Sequence, residues 1–181
     1  MYKMKKLKAA IIGCGRISVC YEDAFKRLSD YVELTCAIDI DAEKAKAFAK
    51  KFDCHYCTDL ETALQYDIDV IHLCLPHYLH PIIAVKAMEA GLHVLTEKPV
   101  AISLQDADKM MEAQRRTGKK LGVIFQTRYT KSVEKLKEIM DSGYLGRILS
   151  ARSCLTWNRS DAYYEGNDWK GTWDRGRRRT Y

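Results

Sequence analysis

The chain has 181 residues, 47% of them hydrophobic and 30% charged, with a formal net charge of +6; that is the balance of a globular protein with room for one full domain and part of another. No apolar run approaches the roughly 18 residues of a membrane span, and the four lysines among residues 1–8 lead into glycines rather than a signal-peptide core, so no membrane partner is expected and the cytoplasm is the expected compartment. Positive charge gathers at the two ends, on Lys3, Lys5, Lys6 and Lys8 and on Arg175, Arg177, Arg178 and Arg179, rather than on one face interleaved with aromatics, which argues against a nucleic-acid partner.

Residues 9–12 are apolar on both faces, the pattern of a central strand in a parallel sheet, and they break into Gly13-Cys14-Gly15-Arg16-Ile17-Ser18. Two glycines make a turn tight enough for a ligand to approach the backbone. A helix predicted over 17–28 presents free N–H groups and the positive end of its dipole at that turn, a candidate cradle for a pyrophosphate. The G-x-G-x-x-G/A pattern departs at its third position, where Ser18 is small but not glycine, and alone such a turn is also an ordinary strand-to-helix connection. A second strand, 32–38, ends at Asp39, twenty-one residues after Ser18, near the spacing of an acid that holds a ribose 2′-hydroxyl. A carboxylate there repels a 2′-phosphate and favours NAD over NADP, while Ile40 and Lys44 beside it leave room for NADP. The plainer role for Asp39 or Asp41 is a cap on a helix over 42–52.

A short strand over 55–57 precedes a Thr58-x-x-Glu61 capping box, and a strong apolar run over 69–75 stops at Pro76. His80-Pro81 opens a helix over 82–90, Gly91 closes it, and 93–96 is the next strand. Strand and helix alternating at short loop lengths predict right-handed β-α-β units, a parallel sheet and a ligand crevice at the carboxyl ends of the strands. Glu97-Lys98-Pro99 directly follows a strand, which puts it on the same sheet edge as the glycine turn and Asp39. A lysine beside a bound cofactor can donate a hydrogen bond to a substrate hydroxyl or help deprotonate it, and burial would lower its pKa toward that use. The structural alternative is a loop ion pair between Glu97 and Lys98. Ser103-x-x-Asp106 caps a helix through 116, Gly118 ends it, and a strand over 121–126 leads to Thr127-Arg128-Tyr129. A helix over 131–141 and a strand over 147–157 follow, the latter with partners expected later in the chain.

The seven cysteines are odd in number, scattered, and mostly inside apolar runs such as those of Cys36, Cys74 and Cys154, as reduced core residues are. Cys54-x-x-Cys57 has the spacing of a metal pair, yet no second pair follows and positions three apart on a strand point to opposite faces. His77 and His80 have no carboxylate or cysteine close in sequence, so no metal is expected there; a loop contact or a helix cap is the ordinary role.

With these pieces in order the chain resembles the glucose-fructose oxidoreductase, inositol dehydrogenase and MocA (Gfo/Idh/MocA) family of NAD(P)-dependent oxidoreductases. The resemblance rests on Gly13-Cys14-Gly15-Arg16-Ile17-Ser18, Asp39, Pro76 with His80, Gly91-Leu92-His93-Val94 and above all Glu97-Lys98-Pro99, with Arg128-Tyr129 and Trp169-Lys170-Gly171-Thr172-Trp173 beyond them. It runs from about residue 8 to residue 173 and implies an α/β, Rossmann-type doubly wound parallel sheet over 1–128, followed by an incomplete α+β second domain over 129–181. By resemblance the cofactor is NAD, with NADP the alternative, held by Gly13, Cys14, Gly15, Arg16, Ile17, Asp39, Leu75, Pro76, His80, Glu97, Lys98 and Arg128. Lys98 is also the implied catalytic residue, in hydride transfer between nicotinamide and a sugar, polyol or similar secondary alcohol.

The sequence departs from the family at its end, where a run of glycines and then an Asp and His pair are typical and this chain reads Asp174-Arg175-Gly176-Arg177-Arg178-Arg179-Thr180-Tyr181. Glycine codons read one base out of register give arginine, so a reading-frame error near Gly176 is the expectation, tested by sequencing past the codon for Tyr181 for an intact family frame. On that expectation turnover is impaired and the family's usual oligomerisation through the second domain is lost. The alternative function is then nucleotide binding without catalysis.

Overall fold

The computed structural model describes residues 5–165 together with Trp169, Lys170, Thr172 and Arg175; Gly176 and the arginines after it, where the frame error was expected, lie outside the described residues. Strands β1 (Leu7–Ile12), β2 (Val32–Ile38), β3 (His55–Cys57), β4 (Val70–Leu73), β5 (His93–Thr96) and β6 (Leu121–Val123) form one sheet in the order β3-β2-β1-β4-β5-β6. Every pairing is parallel. Connections leave β1 toward β2 on one side and enter β4 on the other, so the strand order reverses between β1 and β4, and ligands of doubly wound sheets bind at that crevice.

Both faces of the sheet are covered, as its unbroken apolar strands require. On one face Ala10, Ile12, Ile71 and Leu73 pack against α3 (Leu60–Ala63), α4 (His80–Glu89) and α5 (Leu104–Thr117) through Leu60, Ala84, Met88 and Met110. On the other, Ile11 and Ala37 meet α1 (Val19–Arg27) and α2 (Ala42–Ala49) through Tyr21, Phe25, Phe48 and Ala49. Cys54 and Cys57 divide between these two cores, as strand alternation predicts. Burying side chains such as Ile11, Ile71 and Met88 stabilises the fold by roughly 1.5–3 kcal/mol each.

Several local expectations shift. The first cap of α3 is Asp59, whose carboxylate accepts from the Thr62 N–H at 2.7 Å, rather than Thr58. A carboxylate one residue on reaches the same free N–H with a stronger acceptor. Ser103 caps α5 as expected, and Gly118 closes it in the left-handed conformation. The strand expected over 121–126 stops at Val123, and Gln126–Tyr129 turns as a short 3-10 helix before α6 (Lys131–Asp141). Residues 147–160 form no strand. A strand exists through its pairing, and no described strand pairs with this segment. Leu149 and Leu155 are therefore 83% and 76% exposed, and Cys154, expected in a core, is exposed too.

Candidate functional site

The turn after β1 is built by two glycines with different duties. Gly13 has φ +94° and donates its N–H to the Ile38 carbonyl at 2.8 Å; a Cβ on it would stand 2.4 Å from the Cys74 carbonyl oxygen. Only glycine lets the ends of β1 and β4 come this close. At Gly15 a Cβ would meet nothing within 4 Å, so the space over the turn is open. The N–H groups of Gly15, Arg16, Ile17 and Ser18 find no acceptor among the described residues. They lie at the start of α1, where partial positive charge collects. Ser18 is fully buried and its hydroxyl donates to the Gly15 carbonyl at 2.7 Å, so the departure from a third glycine ties the turn to its own helix.

Asp39 closes the turn from the β2 side. One carboxylate oxygen accepts from the Cys14 N–H at 2.7 Å and the other from the Asp41 N–H at 2.9 Å. Asp41, accepting from Glu43 and Lys44, is the cap of α2. The cap role that the sequence left open for Asp39 or Asp41 thus falls on Asp41. Each oxygen of a carboxylate has two lone pairs, and Asp39, half-buried, keeps one on each for a ligand hydroxyl. Burial, and next the Asp39 charge, push the Cys14 thiol up to about 12, so it stays neutral despite its place near a helix start.

The loops after β4 and β5 form the other wall. Leu75 stands against the Gly13 position, and Pro76 leads into the turn His77–Leu79. His80 is fully buried, with its two ring nitrogens 2.9 Å from the Leu75 carbonyl and 2.8 Å from the Pro99 carbonyl. It ties the two loops together, and with both nitrogens so engaged it offers nothing to a metal. Glu97 is buried; one carboxylate oxygen accepts the Tyr21 hydroxyl from α1 and the other the Lys98 N–H at 3.2 Å. Burial first, then the bond to Glu97, raises the Tyr21 phenol above its ordinary range, so it remains a donor. Lys98 precedes a cis bond to Pro99 and is exposed. Nor does it pair with Glu97, which is engaged elsewhere.

The structure therefore brings Gly13, Cys14, Gly15, Asp39 and Leu75 together, and joins His80, Glu97 and Lys98 along the same carboxyl edge. Arg16 is exposed and Ile17 39% exposed on the turn. Arg128 stands apart after β6, its guanidinium 5.2 Å over the Phe125 ring. Sequence reasoning missed Tyr21 and His72. His72, on β4, lies edge-on to Tyr21 at 4.0 Å and is 5% exposed, and its Nε2 has no hydrogen-bond partner. Burial pushes it down to about 4. A polar side chain in the middle of an apolar strand was the available signal.

A family model described as an oxidoreductase family with an NAD-binding Rossmann fold, GFO_IDH_MocA, matches residues 7–125. The chain is similar to inositol 2-dehydrogenase of Salmonella typhimurium, 33% identical over 150 residues, covering 79% of this chain and 44% of that protein. It is 31% identical over 144 residues to D-glucoside 3-dehydrogenase of Escherichia coli, covering 78% of this chain and 41% of that one. Among solved structures, WlbA dehydrogenase of Bordetella pertussis in complex with NADH and UDP-GlcNAcA superposes with a TM-score of 0.87 at 29% identity, covering 95% of this chain and 50% of that one. The chain thus spans half or less of the length of these relatives.

Proposed function

The chain belongs to the GFO_IDH_MocA oxidoreductase family, and from that premise we propose that it is the cofactor-holding part of an enzyme moving hydride between nicotinamide and a secondary alcohol of a sugar or polyol. The observation that carries this is the turn at the β1–β4 crevice: an open cradle over Gly15, four unmatched N–H groups, and Asp39 fastened to the Cys14 N–H. These features fit a dinucleotide. The pyrophosphate would accept from the N–H groups at the start of α1, with Gly13, Cys14, Arg16 and Ile17 around it, and Asp39 would accept from ribose hydroxyls. Leu75, Pro76, His80 and Glu97 would form the wall on the nicotinamide side, all within a unit over 1–128.

Bound nicotinamide supplies the hydride acceptor or donor. Lys98 places an ammonium at the substrate oxygen, donating a hydrogen bond there and, in the reducing direction, a proton. Glu97 holds the Lys98 backbone in place. General acid assistance of this kind is commonly worth about 10²–10⁴-fold. The inositol and glucoside dehydrogenases, and WlbA with its sugar nucleotide, support the substrate class.

A second reading is nucleotide binding without turnover; in its favour, the hydrogen bond that Lys98 makes among the described residues runs through its backbone N–H and not its ammonium. Titrating the purified chain with NADH, then assaying NAD reduction with a panel of polyols and sugars, separates the two. Turnover that Lys98→Ala lowers by about 10²–10⁴-fold, at unchanged NADH affinity, supports the first. Binding with no turnover supports the second, and absence of NADH binding rejects both.

A further inference from the structure

Glu97 carries a charge that its neighbours do not balance. It is 6% exposed, and its backbone N–H donates to the Leu73 carbonyl at 3.1 Å, which fixes it at the carboxyl end of β4. One carboxylate oxygen accepts the Tyr21 hydroxyl and the other the Lys98 N–H, so both partners are neutral donors. Accepting on both oxygens and donating on neither is the pattern of an ionised carboxylate. None of the ion pairs formed among the described residues involves Glu97. Lys98 does not cancel the charge, being exposed and bonded to Glu97 through its backbone alone. The groups nearby are neutral too. His72, edge-on to Tyr21, is pushed down to about 4 by burial, and the Cys74 thiol is held above its ordinary range by burial first and next by the Glu97 charge.

A buried charge is costly unless a partner of opposite sign or good hydrogen bonds meet it. Two neutral donors keep Glu97 ionised without cancelling its field, and away from water that field reaches a ligand bound against the same wall. The two forms of a nicotinamide cofactor differ in charge at the reacting ring. Oxidised nicotinamide is cationic; taking up hydride from the alcohol carbon, one hydrogen with its electron pair, makes it neutral, while the alcohol loses its hydroxyl proton and becomes a carbonyl. We propose that Glu97, fastened by Tyr21, discriminates between the two forms: its carboxylate favours NAD over NADH, which makes bound NADH the stronger hydride donor and biases the bound reactants toward reduction of the carbonyl. Each tenfold in the ratio of the two affinities lowers the potential of the bound cofactor by about 30 mV. This rests on the oxidoreductase reading and adds to it the direction that the site favours.

The test titrates the full chain by calorimetry with NAD, NADH and ADP-ribose, the last having both riboses and the pyrophosphate without the nicotinamide. Glu97→Gln keeps the size of the side chain and an acceptor for Tyr21 but removes the charge. It is expected to weaken NAD relative to NADH by about tenfold, with ADP-ribose affinity within about twofold of the parent. Glu97→Asp, which keeps the charge, is expected to hold the ratio of NAD to NADH affinity within about threefold. A ratio that does not move in Glu97→Gln overturns the proposal. So does an equal loss of all three affinities, which would make Glu97 a brace for the crevice. Should Glu97→Gln misfold, as seen by circular dichroism, the wild-type chain decides: NADH gaining as much affinity over ADP-ribose as NAD does, or more, overturns the proposal, and a larger gain for NAD supports it. Failure of the wild-type chain to bind any of the three rejects the oxidoreductase reading and this inference with it, whereas binding with an unmoved ratio rejects the role of Glu97 alone.

Discussion

Gly13 and Gly15 stand two residues apart and are glycine for different reasons, which a pair of substitutions separates. Gly13→Ala forces a Cβ onto the Cys74 carbonyl at a positive φ and is expected to destabilise the fold by roughly 1–3 kcal/mol or more, read as a fall in the urea midpoint. Gly15→Ala meets no protein atom within 4 Å; it is expected to leave the midpoint nearly unchanged and to weaken NADH binding by at least about tenfold, seen by titration. His72 carries a different prediction. Its folded pKa is lowered by burial from the ordinary 6.5 to about 4, so the unfolded chain takes up the proton first. Stability is therefore untouched by this group above pH about 7 and falls as the pH drops from about 6.5 through about 4, by on the order of 3 kcal/mol. His72→Leu, which also removes an unpartnered buried nitrogen, is expected to flatten that acid limb in urea titrations at a series of pH values. An unchanged acid limb would mean that other groups produce it.

Among the elements, α1 through α5 are held by packing on the sheet, while α6 is not. Leu136 and Met140 are exposed on it, and its main contact is the turn just before it. A short amphipathic helix with its apolar stripe uncovered receives little tertiary stabilisation. A chain ending at Tyr129 is accordingly expected to unfold in the same cooperative step, with a midpoint temperature within about 3 °C of the full chain by circular dichroism. A larger fall would show that α6 and the segment after it brace the sheet. The capping of α5 by Ser103 and Asp106 was legible because donor and acceptor are three residues apart. The cap of α3 was misjudged by one position because Thr58 and Asp59 both suit it and only the backbone conformation chooses between them.

For the molecule as a whole, the alternation of apolar strands and helices was enough to read the parallel sheet, and the glycine turn, Asp39 and Glu97-Lys98-Pro99 were enough to read the edge where they meet. What stayed hidden depends on partners that sequence spacing does not pair: the hydroxyl of Tyr21 on Glu97 and the imidazole of His80 between Leu75 and Pro99. The strand expected over 147–157 failed for the related reason that apolar content does not supply a neighbour to pair with. The exposure of Lys98 depends on the path of the loop after β5, which spacing does not reveal.

The Tyr21–Glu97 bond ties the helix that begins at the glycine turn to the residue just before Lys98. Two binding regions joined through one rigid link share a coupling free energy, and thermodynamic linkage makes it reciprocal: whatever factor one ligand lends the other's affinity, it receives in return. Tyr21→Phe keeps the ring against His72 and removes only the hydroxyl. The ratio of the affinities for a sugar or polyol substrate with and without NADH is expected to fall toward one in that variant, with NADH affinity alone within about threefold of the parent. A ratio unchanged by the substitution would make the bond a brace for the fold, carrying no communication between the two ligands.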